Sequence, residues 1–278
     1  MAWHSDSRSL VMDLFGDYLR YIDHGEIRLG ALLDLLGDFG IESASARVTL
    51  SRLRRAGWFT TRRDGRETLY QLSGEMLSVL DEGRERIFTR VDGHWDGQWT
   101  QVLYQVPESA RRVRESLRKK LTWMGFGQFA SSVWLSPHAV VEEAERLRHE
   151  FPQAAIDVLR SQASGLTADA ELVERCWDLG QLDKDHQNFI DSYAPLADPA
   201  NVLEGGEALV ARTSLVADAR RMTFRDPRLP LELQPAYWKG DEAFDVLMRA
   251  HARLGPPART RVERLTGRTM GEDFSEHY

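Results

Sequence analysis

The chain has 278 residues, with 36 Lys and Arg against 43 Asp and Glu and a net charge of −7. That length holds two or three domains, and a composition 42% hydrophobic and 28% charged is that of a globular chain, not a disordered or collagen-like one. The single cysteine, Cys176, excludes an internal disulfide; the absence of a roughly 20-residue apolar run and of a secretory core in the first ten residues sets a cytoplasmic location as the expectation, with no membrane partner.

Residues 7–20 are predicted as a first helix, with Leu10, Leu14 and Tyr18 on one face and Val11, Phe15 and Leu19 beside them. Asp23-His24-Gly25 breaks it, 26–29 reads as a short strand, and 30–39 as a second helix with Leu32, Leu35, Leu36 and Phe39 inward. Gly40-Ile41 turns the chain into a third helix over 42–56, in which Ala46, Leu50 and Leu53 share one face. The opposite face carries Ser45, Val48, Ser51, Arg52 and Arg55, with Arg47 and Arg54 on its flanks. Small side chains let a helix sit deep in a groove, and arginines reach guanine edges or phosphates.

Gly57 stops that helix. Two strand-like runs, 58–63 and 67–72, surround Asp64-Gly65, a pair favoured at the centre of a type I′ hairpin. The tip displays Arg62, Arg63 and Arg66. Between 43 and 72 seven arginines face two acids, Asp64 and Glu67, so attraction for an anion is focused on one patch of an acidic protein. Helix, turn, helix and basic hairpin in this order read as a winged helix-turn-helix spanning 8–92 and binding double-stranded DNA. Ser73 is expected to cap a further helix ending near Phe88, a connector or dimer contact.

A second segment, 95–160, reads as strand (99–106), helix to about 124 capped by Ser109, strand (126–135), helix to about 149 opened by Ser136-Pro137, and strand (154–159). This order suggests a ferredoxin-like α/β sandwich. Arg118, Lys119 and Lys120 lie on the basic outer face of its first helix. The third segment, 165–258, is predicted helical over 169–182, 185–194, 207–224 and 241–254, with a charged tail, only partly ordered, after Gly255-Pro256-Pro257. The expected class is therefore α+β in three domains.

Several phrases resemble the PaaX-type repressors of phenylacetate degradation. Gly16-Asp17-Tyr18, Leu29-Gly30, Gly40-Ile41, Arg47, Ser51-Arg52-Leu53, Gly57-Trp58 and Tyr70-Gln71-Leu72-Ser73 follow the pattern of that family's N-terminal domain. Asp226-Pro227-Arg228-Leu229-Pro230, Glu232-Leu233 and Trp238-Lys239-Gly240 are similar to its C-terminal signature. Around the third helix, GIESASARVTL departs from the commoner GISEQAVRTAL, which points to a different operator sequence. The resemblance implies a dimeric repressor, and an aryl-CoA thioester such as phenylacetyl-CoA as the effector that releases DNA. Such a ligand needs an apolar slot and cations for its phosphates; Trp177, Tyr193 and Trp238 are the aromatic candidates and Arg118, Lys119 and Lys120 the phosphate candidates.

No catalytic motif is present: there is no Gly-rich phosphate loop, HExxH, CxxC or GxSxG. The eight histidines have no ligand-like spacing, and His186 near Asp183 and Asp185 reads as part of a capped helix start. Neither a catalytic residue, a metal site nor a cofactor is expected. The alternatives are a regulator of the same fold answering another acyl-CoA or aromatic acid, and a metal-dependent nuclease on the middle segment. The nuclease would need paired acids at strand ends, and the strand over 99–106 has none.

Overall fold

The computed structural model describes residues 6–90 and 94–271. His4, His277 and the expected end of the first segment at 92 lie outside them. The class is α+β: helices accompany a three-stranded and a four-stranded antiparallel sheet. Two compact units emerge, one from the described residues of Met1–Thr89, Phe189–Arg220 and Phe244–Tyr278, the other from those of Arg90–Asn188 and Arg221–Ala243.

In the first unit, α1 (Ser7–Asp17) starts at Asp6, whose carboxylate accepts from the Ser9 N–H. It stops three residues before the predicted end because Tyr18 leaves helical φ/ψ and a 3₁₀ turn, Leu19–Tyr21, follows. After β1 (Ile27–Arg28) comes α2 (Leu29–Asp38), which closes in a Schellman motif: Gly40, at φ +76°, donates to Gly37 O and Ile41 to Leu36 O. The same closure ends α3 (Ser43–Arg55), with Gly57 at φ +81° donating to Arg54 O and Trp58 to Leu53 O. These two glycine caps fix how α3 enters and leaves.

β2 (Phe59–Asp64) and β3 (Glu67–Leu72) form the hairpin, and the sheet order is β1-β3-β2. The turn differs from the sequence expectation. Asp64 pairs with Glu67, so the loop residues are Gly65 and Arg66, and of these Gly65 alone has positive φ, +59°. That is the signature of a II′-like turn with Gly first, whereas I′ needs two left-handed residues. Ser73 caps α4 (Gly74–Phe88) by accepting from the Met76 N–H, as expected.

One hydrophobic core joins α1–α4 to Leu209 and Val210 of α9 (Gly205–Thr223) and to Ala258 and Val262 of α10 (Gly240–Thr266). α10 corrects the expectation of a helix ending at 254 and a partly ordered tail: it continues through Pro256 and Pro257. An interior proline costs about 3 kcal/mol or more; the full burial of Ala258 and Val262 beyond Pro256 and Pro257 works against that cost. α8 (Leu179–Ala197) likewise passes Pro195, where a stop was expected, while Trp177-Asp178 separates it from α7 (Leu166–Cys176) inside a predicted single helix.

The second unit holds β4 (Trp99–Gln105), α5 (Arg111–Trp123), β5 (Gly127–Ala130), β6 (Val133–Ser136), α6 (Val141–Glu150) and β7 (Ala155–Ser161), in the sheet order β5-β6-β4-β7. The strand expected over 126–135 is a hairpin, broken at Ser131-Ser132. Ser136 does not cap α6; it is fully buried in β6 opposite Thr100. Nor does Ser109 cap α5, because a 3₁₀ turn, Glu108–Ala110, precedes that helix. Alternation along β6 sends Trp134 into the core with Leu117, Leu121 and Leu147, and Leu135 into a second core with Trp95, Trp99 and Leu179.

Candidate nucleic-acid interface

Ala46, Leu50 and Leu53 anchor α3 at 0–2% exposure. The rest of the helix is then turned out: Ser45, Arg47, Val48, Arg52, Arg54 and Arg55 are exposed and Ser51 half-buried. Val48 is 50% exposed, an apolar side chain set among polar and basic ones. Among the described residues, no carboxylate forms an ion pair with Arg47, Arg52, Arg54 or Arg55. The basic last turn of α3 also sits at the negative end of its helix dipole.

The wing is less uniform than its sequence. Arg62 is held in a two-point pair by Glu26, with Nε to Oε1 at 3.1 Å and the second nitrogen to Oε2 at 2.5 Å. The hydrogen bonds from Arg62 hold the Glu26 carboxyl below its ordinary range. Arg28 pairs with Glu67 at 3.1 Å. Arg63 and Arg66 remain exposed at and beside the turn, with no ion-pair partner among the described residues. Trp58 is stacked by the Arg8 guanidinium at 4.2 Å, which braces the base of the hairpin.

The ligand candidates fall in different places. Tyr193 is buried in the first unit, its hydroxyl donating to Asp218 at 2.7 Å. Trp177 and Trp238 belong to the second unit, and Trp238 meets His186 edge-to-face at 4.8 Å. Lys119 is exposed, Lys120 pairs with Glu150 at 3.6 Å, and Arg118 donates to Gln128 at 2.7 Å. His186, read from sequence as part of a helix start, is instead buried and hydrogen-bonded to Asp226 of the DPRLP segment at 3.0 Å. Among the described residues no group of three His, Cys, Asp or Glu side chains is arranged to hold a metal ion.

Sequence reasoning missed one cluster altogether. Asp17 of α1 accepts from Arg212 of α9 at 2.6 Å, lies 3.5 Å from Nε2 of His251 in α10 and 3.7 Å from Arg84 in α4. Arg212 and His251 are 1% exposed. Separations of 195 and 234 residues hide this pairing from any local pattern.

Comparison with known proteins gives a consistent result. A family model described as PaaX-like protein matches residues 6–76, the PaaX protein central Cas2-like domain matches 92–173, and the PaaX-like protein C-terminal domain matches 177–264. A solved structure of an uncharacterized protein from Mycobacterium tuberculosis is 24% identical, with a TM-score of 0.62 over 93% of this chain and 98% of that one, a likeness of fold. The transcriptional repressor PaaX of Escherichia coli (strain K12) is 31% identical over 272 residues, 95% of this chain and 85% of that protein. With three PaaX models matched in order and that identity along nearly the whole length, the chain belongs to the PaaX family.

Proposed function

We propose that this protein is a dimeric, cytoplasmic repressor that binds operator DNA through a winged helix-turn-helix over 8–92 and is released by an aryl-CoA thioester, phenylacetyl-CoA being the prototype. The observation that carries the reading is the outward face of α3, basic and unopposed by carboxylates among the described residues, on a helix that follows the glycine-capped end of α2 and is itself closed by Gly57. It rests also on the repressor named among the relatives. α3 enters the major groove and the β2–β3 wing holds flanking backbone. The segment 95–160, with its β-α-β-β-α-β order, serves as a ferredoxin-like domain, and 165–258 as the sensor. A ligand favouring the state unable to bind DNA empties the operator by population shift.

Ser45, Val48, Ser51, Arg52 and Arg55 are assigned to base edges, with Val48 suited to a thymine methyl, and Arg47 and Arg54 to phosphates. Arg52→Ala is expected to lose roughly 1–3 kcal/mol at one operator position while leaving random DNA nearly untouched. Arg47→Ala is expected to weaken both alike. Fluorescence anisotropy on promoter fragments from the protein's own gene neighbourhood, against scrambled duplexes, measures both. Equal loss from Arg52→Ala on the two DNAs would overturn the base-reading role.

The wing gives a salt prediction. Each phosphate contact contributes about 0.9 to the slope of log affinity against log salt. Arg63→Ala and Arg66→Ala should each flatten the slope by about that amount. Arg62→Ala should flatten it less, because that guanidinium is already neutralised by Glu26. A slope unmoved by the Arg63/Arg66 pair would show that the wing stands clear of DNA.

A further inference from the structure

In the second unit a cleft of about 300 Å³ opens between β5, the end of α5 and the start of α8. Its walls are aromatic: Phe126, Trp134, Trp177 and Phe224 all line it. A volume of this size is at the lower end of the range for small-molecule sites. The strand makes room for the wall by having no side chain at one point. A Cβ at Gly127 would lie 2.5 Å from Trp177 Cε2 and 2.7 Å from Cys176 Cβ, so the Trp177 ring is pressed directly on the β5 backbone. Trp177 also stacks toward Trp99 of the core at 6.4 Å and 24°, which fixes it as a rigid face.

Three polar features belong to residues that line or border this slot. The Trp134 indole N–H is buried and meets no acceptor among the described residues. An unmet buried donor costs about 1–3 kcal/mol, and such groups in native proteins call for a missing partner. Arg225 lines the cleft with its side chain 55% exposed, paired to Asp185 at 2.5 Å. Arg118 reaches the same rim through its hydrogen bond to Gln128, another lining residue. The one carboxylate among the lining residues, Asp178, is committed to the start of α8, where it accepts from the Gln181 N–H at 3.0 Å. Cys176 supplies no nucleophile, since burial pushes its thiol up to about 12.

Aromatic walls, an unmet N–H and a cationic rim select a flat aromatic group that carries a carbonyl acceptor and a polyanionic tail. We propose that this cleft is the effector site: the aryl group lies against Trp177 and Phe224, its thioester carbonyl takes the Trp134 N–H, and the coenzyme phosphates leave past Arg118 and Arg225. The assignment rests on the aryl-CoA reading given above and adds its location. It joins two sequence candidates, Trp177 and Arg118, and replaces Trp238 and Tyr193 with Trp134 and Phe224 as the working aromatics.

The test uses the full-length protein, calorimetry, and phenylacetyl-CoA, coenzyme A and phenylacetate as probes. The wild type is expected to bind phenylacetyl-CoA best of the three. Trp134→Phe keeps the ring and removes the donor, and should weaken phenylacetyl-CoA binding about tenfold while leaving coenzyme A binding unchanged. The surface pair Arg118→Gln/Arg225→Gln, which carries no folding risk from the core, should weaken both phenylacetyl-CoA and coenzyme A at least tenfold. Operator binding without ligand should be unaltered in all variants. Hydrogen exchange should show ligand protection at 122–128 and 176–182. If phenylacetyl-CoA binds all variants as it binds the wild type, and protection falls elsewhere, the cleft is not the site and the aryl-CoA reading stands. Should the wild type bind operator yet give no heat with phenylacetyl-CoA, both the effector reading and this site are overturned.

Discussion

Arg212→Ala is expected to destabilise the first unit by about 3–5 kcal/mol, the range for breaking a buried ion pair by removing one partner. The guanidinium is 1% exposed, and its contacts include Nε to the His251 carbonyl at 3.1 Å, one terminal nitrogen to Asp17 Oδ2 at 2.6 Å, and the other to His251 Nδ1 at 3.5 Å. It also lies 5.1 Å from the centre of the Tyr18 ring. Truncation leaves the Asp17 carboxylate at 4% exposure without its nearest cation, with Arg84 and His251 farther away. Urea midpoints at constant slope measure the loss. Asp17→Ala should cost a similar amount, since it leaves the Arg212 guanidinium buried without its carboxylate. The double variant Asp17→Leu/Arg212→Met removes both charges with little loss of volume and should fall well short of the sum. Additive losses in that cycle would show that the two groups do not act as a pair.

The residues of this pair were in plain view in the sequence, but their pairing was not. Asp17 and Tyr18 belong to a local phrase that the family resemblance singles out, whereas Arg212 reads as a polar interruption of an apolar helix. Local rules placed what local physics decides. Periodicity gave α3 and its buried face, and two glycines followed by Ile41 and Trp58 gave its boundaries through hydrogen bonds only a few residues long. The rules failed where a distant partner overrode propensity. Ser136-Pro137 has the chemistry of a helix start, but Ser136 is taken into the ladder with Thr100, and the Trp95 indole claims the Pro137 carbonyl. Pro256-Pro257 has the chemistry of a helix end, but the core it would leave open is filled by Ala258 and Val262. The turn at Gly65 failed for a subtler reason: Asp-Gly marks a hairpin, but the pairing of Asp64 with Glu67 shifts its centre by one residue. Of the side chains the helical wheel turns outward on α3, all but the half-buried Ser51 are exposed, while the capture of Arg62 by Glu26, 36 residues away, was invisible.

Acid should undo the buried cluster in two stages. Burial first, and then Arg212, hold the His251 imidazole down at about 4, against the pull of Asp17 in the other direction. The contacts fit a neutral ring that donates from Nε2 toward Asp17 and accepts at Nδ1 from Arg212. In the unfolded chain the imidazole titrates near 6.5. As pH falls from 6.5 to 4 the unfolded state therefore binds a proton that the folded state refuses, and stability drops by about 1.4 kcal/mol per unit, about 3 kcal/mol in all. Asp17 acts below that window. Burial alone would raise its carboxyl, but Arg212, His251 and Arg84 together outweigh burial and hold it well under the carboxylate range. Its contribution is present above the unfolded value of 3.8 and is lost as pH falls further. His251→Gln separates the stages, because glutamine can still donate to Asp17 and accept from Arg212 but cannot titrate. Between pH 6.5 and 4 the urea stability of this variant should fall more gently than that of the wild type, and below pH 4 the two should fall together. Parallel curves across the whole range would mean that His251 is protonated in the folded protein, so that its ring donates from both nitrogens and the contact with Arg212 is repulsive.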